Sequence, residues 1–440
     1  MNAAVIELND QEVRLEKDGA ILVRSPGTAI VKGSTVEVGE SANRQTRLNP
    51  RESYNRFWYQ LSQAALRKPS RNARHHADLA FRHLQHIHET AGKPQRLVLA
   101  IPGGFTTEQL ALLLGITEAC GMTTVAIVDA AIAGAASCAA PGSYQHIEIQ
   151  QHRTVITSLH VSTEVKRDRI EVLDGIGYQK LGQIAVEFLA DKFLEQSRFD
   201  PLHRADTEQL LFNKLPSWLQ ALSSQAEIDV ELRFRKSQFT AHITRADLIK
   251  VLQPCYDEIR KRLSGSDSCL IGSRLSAIPG FFESAGNWYR LDEQAVFSGC
   301  RELCSLEPED VSGLRLTTQL PATTEPTIGL NIKTPENDAR FPGVADGVPH
   351  VLYQHVAYDI TAGPLYFSVH GQVTRSLDDK PNVKFSVQDG AIRATSENGI
   401  SFLVNGTFAN QGATLNVGDS LAFSGSGPTF ILIHVLNIDA

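Results

Sequence analysis

The hydrophobic pattern of this 440-residue chain changes character once, near Leu306, and that break limits what the chain can fold into. Before it, short apolar runs of strand length alternate with helical stretches. After it, helical periodicity disappears. A chain this long exceeds what one core supports, so two or three domains are expected.

Residues 3–32 read as strands and turns: AAVIELN, EVRLE, a KDG turn, AILVRS, a PG turn and TAIV. From Ser41 to Glu89 the chain turns polar, rich in Arg, Gln and His, with a helical pattern. RLVLAIPG (Arg96 to Gly103) is a short buried strand, and TTEQLALLLGITEACG a helix with Thr106 or Thr107 as its cap and Gly121 as its stop. TTVAIVD is the next strand and AAIAGAASCAA a small-residue helix. This alternation implies a parallel or mixed sheet flanked by helices. The cycle then repeats. YQHIEIQQHRTVITSLHV and RIEVLDGIG are strands, Gly182 to Phe199 and Glu208 to Ala221 helices, and AEIDVELRFRKSQFTAHIT strand again. RADLIKVLQPCYDEIRKRL is a long amphipathic helix capped by Thr244, and SCLIGS a buried strand. Two similar α/β halves follow, about 1–145 and 146–305. Residues 306–348, rich in Pro, Thr, Gly and Asp, read as a linker with room for an edge strand. Residues 349–440 read as seven short strands of an all-β sandwich.

A net charge of −7 argues against a dedicated nucleic-acid binder, because phosphate neutralisation needs clustered cations, although it leaves room for a local basic patch. The N-terminus lacks a basic segment followed by an apolar one, and the longest apolar stretch is interrupted by Asp129, Gly134 and Ser137, so neither a signal peptide nor membrane insertion is expected. Six scattered cysteines with no C-x-x-C pair read as reduced, buried thiols, and together these features point to the cytoplasm.

The order of landmarks over residues 4 to 305 resembles the nucleotide-binding domain of the seventy-kilodalton heat-shock chaperone family. VGESANRQTRLNP is similar to its V-G-x-x-A-x-x-Q…N-P segment. LVLAIPGGFTTEQLALLLGITEACGMTTVAIVDAAIAGAAS resembles its V-P-A-x-F turn, helix and N-E-P-T-A-A-A element. CLIGSRLSAIPGFFES resembles the V-G-G-x-x-R-x-P loop on which adenine stacks, and QAVFSGC the closing A-x-x-x-G-A helix. The resemblance implies a two-lobed actin-like ATPase fold (duplicated ribonuclease-H-like sheets flanked by helices) and a site for ATP or ADP with Mg²⁺.

The departures fall on the phosphate loops, where glycines normally let backbone N–H groups approach phosphate and aspartates hold the hydrated metal. Where the family has I-D-L-G-T, this chain has Ile6-Glu7-Leu8-Asn9-Asp10, so Glu7 replaces the aspartate and Asn9 the glycine. Where the family has D-L-G-G-G-T, it has Glu148-Ile149-Gln150-Gln151-His152-Arg153, with no glycine. Asp129 corresponds to the catalytic glutamate, and Asn55, beside Arg56, to the lysine after the N-P turn. By this resemblance Glu7, Asp129 and Glu148 are the candidate catalytic residues, converging on a central cleft, and Glu7 and Glu148 the candidate metal ligands. Asn9, Asp10, Arg153, Gly272, Ser273 and Arg274 are the candidate nucleotide contacts, with Arg153 supplying charge to a phosphate and Gly272 to Arg274 an adenine shelf. Phosphoryl transfer depends on positioning and charge stabilisation, so rewriting both loops implies loss of efficient hydrolysis. The expected function is a chaperone-like or scaffolding protein that acts through protein partners. The alternative is a slow Mg-dependent ATPase whose lobes open and close.

Two further features invite a function. His75, His76, His83, His86 and His88 share helical spacing and are read as a solvated polar helix in preference to a metal site. ENGISFLVNGTFANQGATLNVGDSLAF, with Asn405-Gly406-Thr407-Phe408 and Gly418-Asp419, resembles the end of a forkhead-associated domain. Gly371-Gln372 stands where that family has its G-R phosphate grip. A protein-interaction sandwich is therefore expected, and a phosphothreonine peptide is not its expected ligand.

Overall fold

The structure is a computed structural model that describes residues 3–263, 268–282, 287–306 and 314–328, and, between 347 and 436, the strands named below with a few flanking residues. The chain divides into two compact units, Met1–Leu330 and Asn331–Ala440.

The first unit opens with strands β1 (Ala4–Glu7), β2 (Val13–Lys17) and β3 (Ala20–Ser25), an antiparallel meander. Asp18 and Gly19 turn the β2–β3 hairpin with φ of 53° and 86°, the doubly left-handed pair that a two-residue turn needs and that Asp-Gly supplies cheaply. A small sheet of β4 (Ala29–Lys32), β5 (Thr35–Val38) and β6 (Ser53–Tyr54) follows, with α1 (Glu40–Asn43) between its strands. Helix α2 (His76–Thr90), strand β7 (Arg96–Ile101), α3 (Thr107–Ala119), β8 (Thr123–Asp129) and α4 (Ala130–Ala136) complete the first half. Thr106 caps α3 in a capping box with Gln109, and Gly121 ends it at φ 80°.

The second half repeats the plan with β9 (Gly142–Ile149), β10 (Arg153–Val161) and β11 (Glu164–Asp174), then α5 (Tyr178–Ser197) and α6 (Ala205–Ser224). The hairpin β12 (Glu227–Phe234) and β13 (Ser237–Thr244) precedes α7 (Arg245–Arg260), whose N-terminus Thr244 caps. Then come β14 (Ser268–Ile271), α8 (Ser273–Ser276), β15 (Trp288–Arg290) and α9 (Ala295–Gly299). The two main sheets have one topology. In the first the order is β3-β2-β1-β7-β8, in the second β11-β10-β9-β14-β15. In each, a three-stranded meander is followed by two strands parallel to its first member.

The segment read as a linker adds an edge to both sheets. β16 (Leu316–Thr317) pairs parallel with β8, and β17 (Gln319–Pro321) antiparallel with β11. One face of the first sheet packs under α2 and α3, through Leu15, Leu84, Leu99 and Ile116. The second sheet packs under α5, α6 and α7. The remaining core joins both sheets around α4, which is entirely buried. Small residues make this approach feasible: a Cβ on Gly299 of α9 would lie 1.9 Å from the Ala133 carbonyl oxygen of α4.

Residues 44–75 depart from the helical expectation, since only α1 and α2 are helical between Ser41 and Glu89. Pro50 and Pro69 break helix there, Ser53 and Ser70 bond the nearby backbone, and Phe57, Trp58, Leu61 and Leu66 bury at uneven spacing. Among the described residues no helix is long and apolar enough to cross a membrane.

In the second unit, two antiparallel sheets share one core. β18 (Gly347–Tyr353), β19 (Val356–Asp359), β24 (Phe402–Val404), β25 (Thr407–Ala409), β27 (Ser420–Phe423) and β28 (Thr429–Leu436) form one, in the order β19-β18-β28-β27-β24-β25. β20 (Leu365–Phe367), β21 (Val373–Thr374), β22 (Val383–Gln388), β23 (Ala391–Ser396) and β26 (Gly412–Leu415) form the other. Phe367 and Phe430 meet across the core with ring centroids 4.4 Å apart. HVLYQHVAYDI, expected to be one strand, is two: His350 pairs with Asp359. Both arms alternate in polarity, so periodicity does not reveal the reversal. Asn405, Gly406, Gly418 and the Gly371-Gln372 pair lie outside the described residues.

Candidate functional site

The chemistry-bearing residues gather where β1, β9 and β14 end, the position at which open α/β sheets present their loops. Glu7 is the last residue of β1, Glu148 lies one residue from the end of β9, and Arg274 sits on α8 immediately after β14. The Arg274 guanidinium donates to both oxygens of Glu7, Nη1 to Oε1 at 2.7 Å and Nη2 to Oε2 at 2.9 Å. Nη1 also reaches Glu148 Oε1 at 3.3 Å, and Nη2 donates to the Glu12 carbonyl at 2.7 Å. Arg274 is 5% exposed, Glu7 5% and Glu148 9%. Buried charge is tolerated only when paired and hydrogen-bonded, and this fork-to-fork geometry meets that demand.

The electrostatics divide the two carboxylates. Burial pushes Glu7 up, but the Arg274 guanidinium, with Arg14 beside it, more than offsets this and holds Glu7 below the ordinary range. Burial pushes Glu148 up to about 7; Arg274 opposes the rise and Glu7 adds to it. Burial alone would lower Arg274, yet Glu7 and Glu148 raise it. His146 lies 3.9 Å from Glu148, but burial lowers it to about 4, so it is neutral at pH 7.

Asn9 and Asp10 bind the two loops together. Asn9 Nδ2 donates to Glu148 Oε1 at 2.7 Å and to the Ile149 carbonyl at 2.9 Å, while Oδ1 accepts the Gln11 N–H at 3.0 Å. Asp10 Oδ1 accepts the Gln151 N–H at 2.7 Å. The other Asp10 oxygen, Oδ2, is buried without a partner, and burial raises the carboxyl to about 6. The Gln150–Arg153 turn closes through Gln150 N–H to the Arg153 carbonyl at 2.8 Å, with no residue at positive φ, so it needs no glycine. Its carbonyls are also occupied: Gln150 accepts Tyr178 N–H, Gln151 accepts Gln179 N–H and His152 accepts Gly175 N–H. Gly272 is required for a different reason. A Cβ there would stand 2.1 Å from Glu148 Oε2.

The sequence candidates thus separate. Glu7, Asn9, Glu148, Gly272, Ser273 and Arg274 form one cluster, with Ser273 Oγ accepting from Arg14 at 3.0 Å. Asp129 does not join it. Asp129 caps α4 by accepting the Ala131 N–H at 2.9 Å and pairs with Arg167 at 2.6 Å, without a bond to Glu7 or Glu148. Arg153 turns to Gln150 Oε1 at 2.6 Å and lies 5.3 Å from the Tyr59 ring. Asn55 bridges the halves through Gln179 Oε1 and His152. The histidine helix is not simply solvated. His83 is buried between Ser25 Oγ at 2.7 Å and Trp58 Nε1 at 2.9 Å, and His88 bonds the Pro94 carbonyl. Among the described residues no group of three or more His, Cys, Asp or Glu is arranged to hold a metal ion.

Sequence reasoning missed Arg14, which is 7% exposed, 3.9 Å from Glu7 and 2.7 Å from Glu12. The available signal was the alternation VRLE, which places Arg14 and Glu16 on one face of β2; that face is covered too, so both charges are buried. A hydrated Mg²⁺ needs carboxylate oxygens free of a competing cation, and phosphate oxygens need free backbone N–H groups. Here Arg274 takes both oxygens of Glu7, and Asp10 takes the Gln151 N–H. The set does not fit a metal–triphosphate. No protein-family model matches this chain, and no curated protein is significantly similar to it.

Proposed function

We propose that the first unit is a two-lobed actin-like fold related to the heat-shock chaperone ATPase domain, in which an internal ion-pair lock has replaced the nucleotide site. The protein then acts as a chaperone-like scaffold in the cytoplasm, through contacts with other proteins. The shared topology of the two sheets supports the fold reading. The observation that carries the functional reading is Arg274, which puts a permanent cation on the two carboxylates that a metal would need. Asn9 to Glu148, Asp10 to Gln151 and Arg274 to Glu7 each bridge the two sheets, so the lobes are held together without ligand. This opposes the opening and closing on which an ATP-driven cycle depends. Among the described residues the six cysteines form no disulfide, which accords with a reducing compartment.

In this reading the second unit is an interaction sandwich of the forkhead-associated kind whose ligand is not a phosphothreonine peptide. A turnover assay on purified protein with ATP and Mg²⁺ tests the central point. The expected result is no phosphate release above that of buffer. Robust turnover that Glu7→Gln abolishes in a folded protein would instead establish the slow ATPase.

A further inference from the structure

The chain carries a strong charge asymmetry that the ion-pair lock does not use. Between residues 44 and 82 there are nine Arg or Lys and two Asp or Glu, a balance of +7 within a chain of −7. Several of these cations already face carboxylates: Arg44 meets Glu40, Arg47 meets Glu208, Lys68 meets Glu52 and Arg74 meets Asp78. Arg51, Arg56 and Arg71, and Lys32 nearby, are exposed and make no ion pair among the described residues.

Two of these uncommitted cations border a groove of about 620 Å³. One wall is the tip of the β4–β5 hairpin, Lys32 to Ser34; the other is the turn Lys68 to Arg71. Asn72 Nδ2 donates to the Ser34 carbonyl at 2.5 Å and ties the two walls together, while Tyr54 OH accepts the Lys68 N–H at 3.1 Å from beneath. The groove is therefore preformed rather than assembled from two mobile loops. Val31, Ser34 and Ser70 also line it, and the Ser70 hydroxyl braces the turn by accepting the Ala73 N–H at 3.1 Å.

We propose that this groove is a docking site for an acidic, extended segment of a partner protein. Lys32 and Arg71 supply the complementary charge beside the Lys68–Glu52 pair, and the volume falls within the range of ordinary ligand sites. A nucleic acid fits less well, because no aromatic ring lines the groove to stack a base. The groove shares no residue with the Glu7–Arg274–Glu148 cluster, so the inference stands whether or not nucleotide binds there.

The test is fluorescence anisotropy of the full-length protein with a labelled oligo-glutamate peptide, with oligo-glutamine and single-stranded oligothymidylate as comparators. The expected result is salt-sensitive binding of oligo-glutamate. It weakens about tenfold or more in the triple variant Lys32→Glu, Lys68→Glu, Arg71→Glu. A charge-matched triple elsewhere, Arg169→Glu, Arg233→Glu and Lys236→Glu, retains it. Should the groove triple fail to fold by circular dichroism, Arg71→Glu alone, at an exposed side chain with no ion pair among the described residues, reads the same effect at smaller size. The proposal is overturned if oligo-glutamate does not bind or if both triples weaken it equally. It is also overturned if oligothymidylate binds more tightly and loses that binding in the groove triple.

Discussion

The turn after β1 and the turn after β9 stand at the same place in two sheets of one topology, yet they contribute opposite parts of the residue. The first reaches out with side chains: Asn9 grips Glu148 and the Ile149 carbonyl, and Asp10 receives the Gln151 N–H. The second answers with main chain, giving up that N–H and the Gln150, Gln151 and His152 carbonyls to its surroundings. Each side chain of the first turn thus finds a partner on the second. Neither turn needs a residue at positive φ, whereas Gly272 makes room for a carboxylate.

The comparison breaks most completely at Arg274. Replacing it with Met leaves Glu7 and Glu148 buried without their cation and is expected to destabilise the first unit by about 3–5 kcal/mol. Urea unfolding followed by tryptophan fluorescence measures this, since Trp58, Trp218 and Trp288 all lie in that unit. Adding Glu7→Gln and Glu148→Gln to the same variant recovers most of the loss, because no unpaired charge then remains. Gly272→Ala comes next. Its methyl group drives into Glu148, at a cost of about 2 kcal/mol by the same assay. Asn9→Gly removes the Asn9 bonds to Glu148 and Ile149, costs about 1–2 kcal/mol and creates no affinity for ATP.

The smallest effect is in pH. The folded Glu148 titrates near 7, well above an unfolded glutamate, so its contribution is present at low pH and is lost as pH rises through 7. Relative to Glu148→Gln, the wild type is therefore stabilised by up to about 1 kcal/mol when the pH is lowered from 8 to about 6.5. The buried histidines oppose this gain over the same range, and Asp10, raised by burial to about 6, adds to it at lower pH. Burial lowers His83 to about 3 and His146 and His152 to about 4, so the unfolded chain takes up protons that the folded one refuses. The difference in urea midpoint between the wild type and Glu148→Gln should therefore grow as the pH falls from 8 to 6.5.

Local chemistry made much of the first unit legible. Thr106, Thr244 and Gly121 mark helix ends, and Asp18-Gly19 marks a hairpin, because each acts through its own backbone. Residues 44–75 were not legible as irregular chain, since Phe57, Trp58, Leu61 and Leu66 are anchored by distant partners rather than by helical spacing. The two loops stood out in the sequence because of the charged and amide residues they carry. What could not be read was their destination. Nothing local to Arg274 states that it meets Glu7, 267 positions earlier, or that Asp129 turns to Arg167 instead. Such pairings depend on which strand ends the topology brings together, and sequence spacing carries no trace of that.

Calorimetric titration of the purified protein with ATP, with and without Mg²⁺, bears most directly on the internal lock. The account predicts no heat of binding up to millimolar nucleotide in either condition. Micromolar, Mg-dependent binding would contradict it, because Arg274 would then have to release Glu7 and Glu148 to admit a metal and its phosphates.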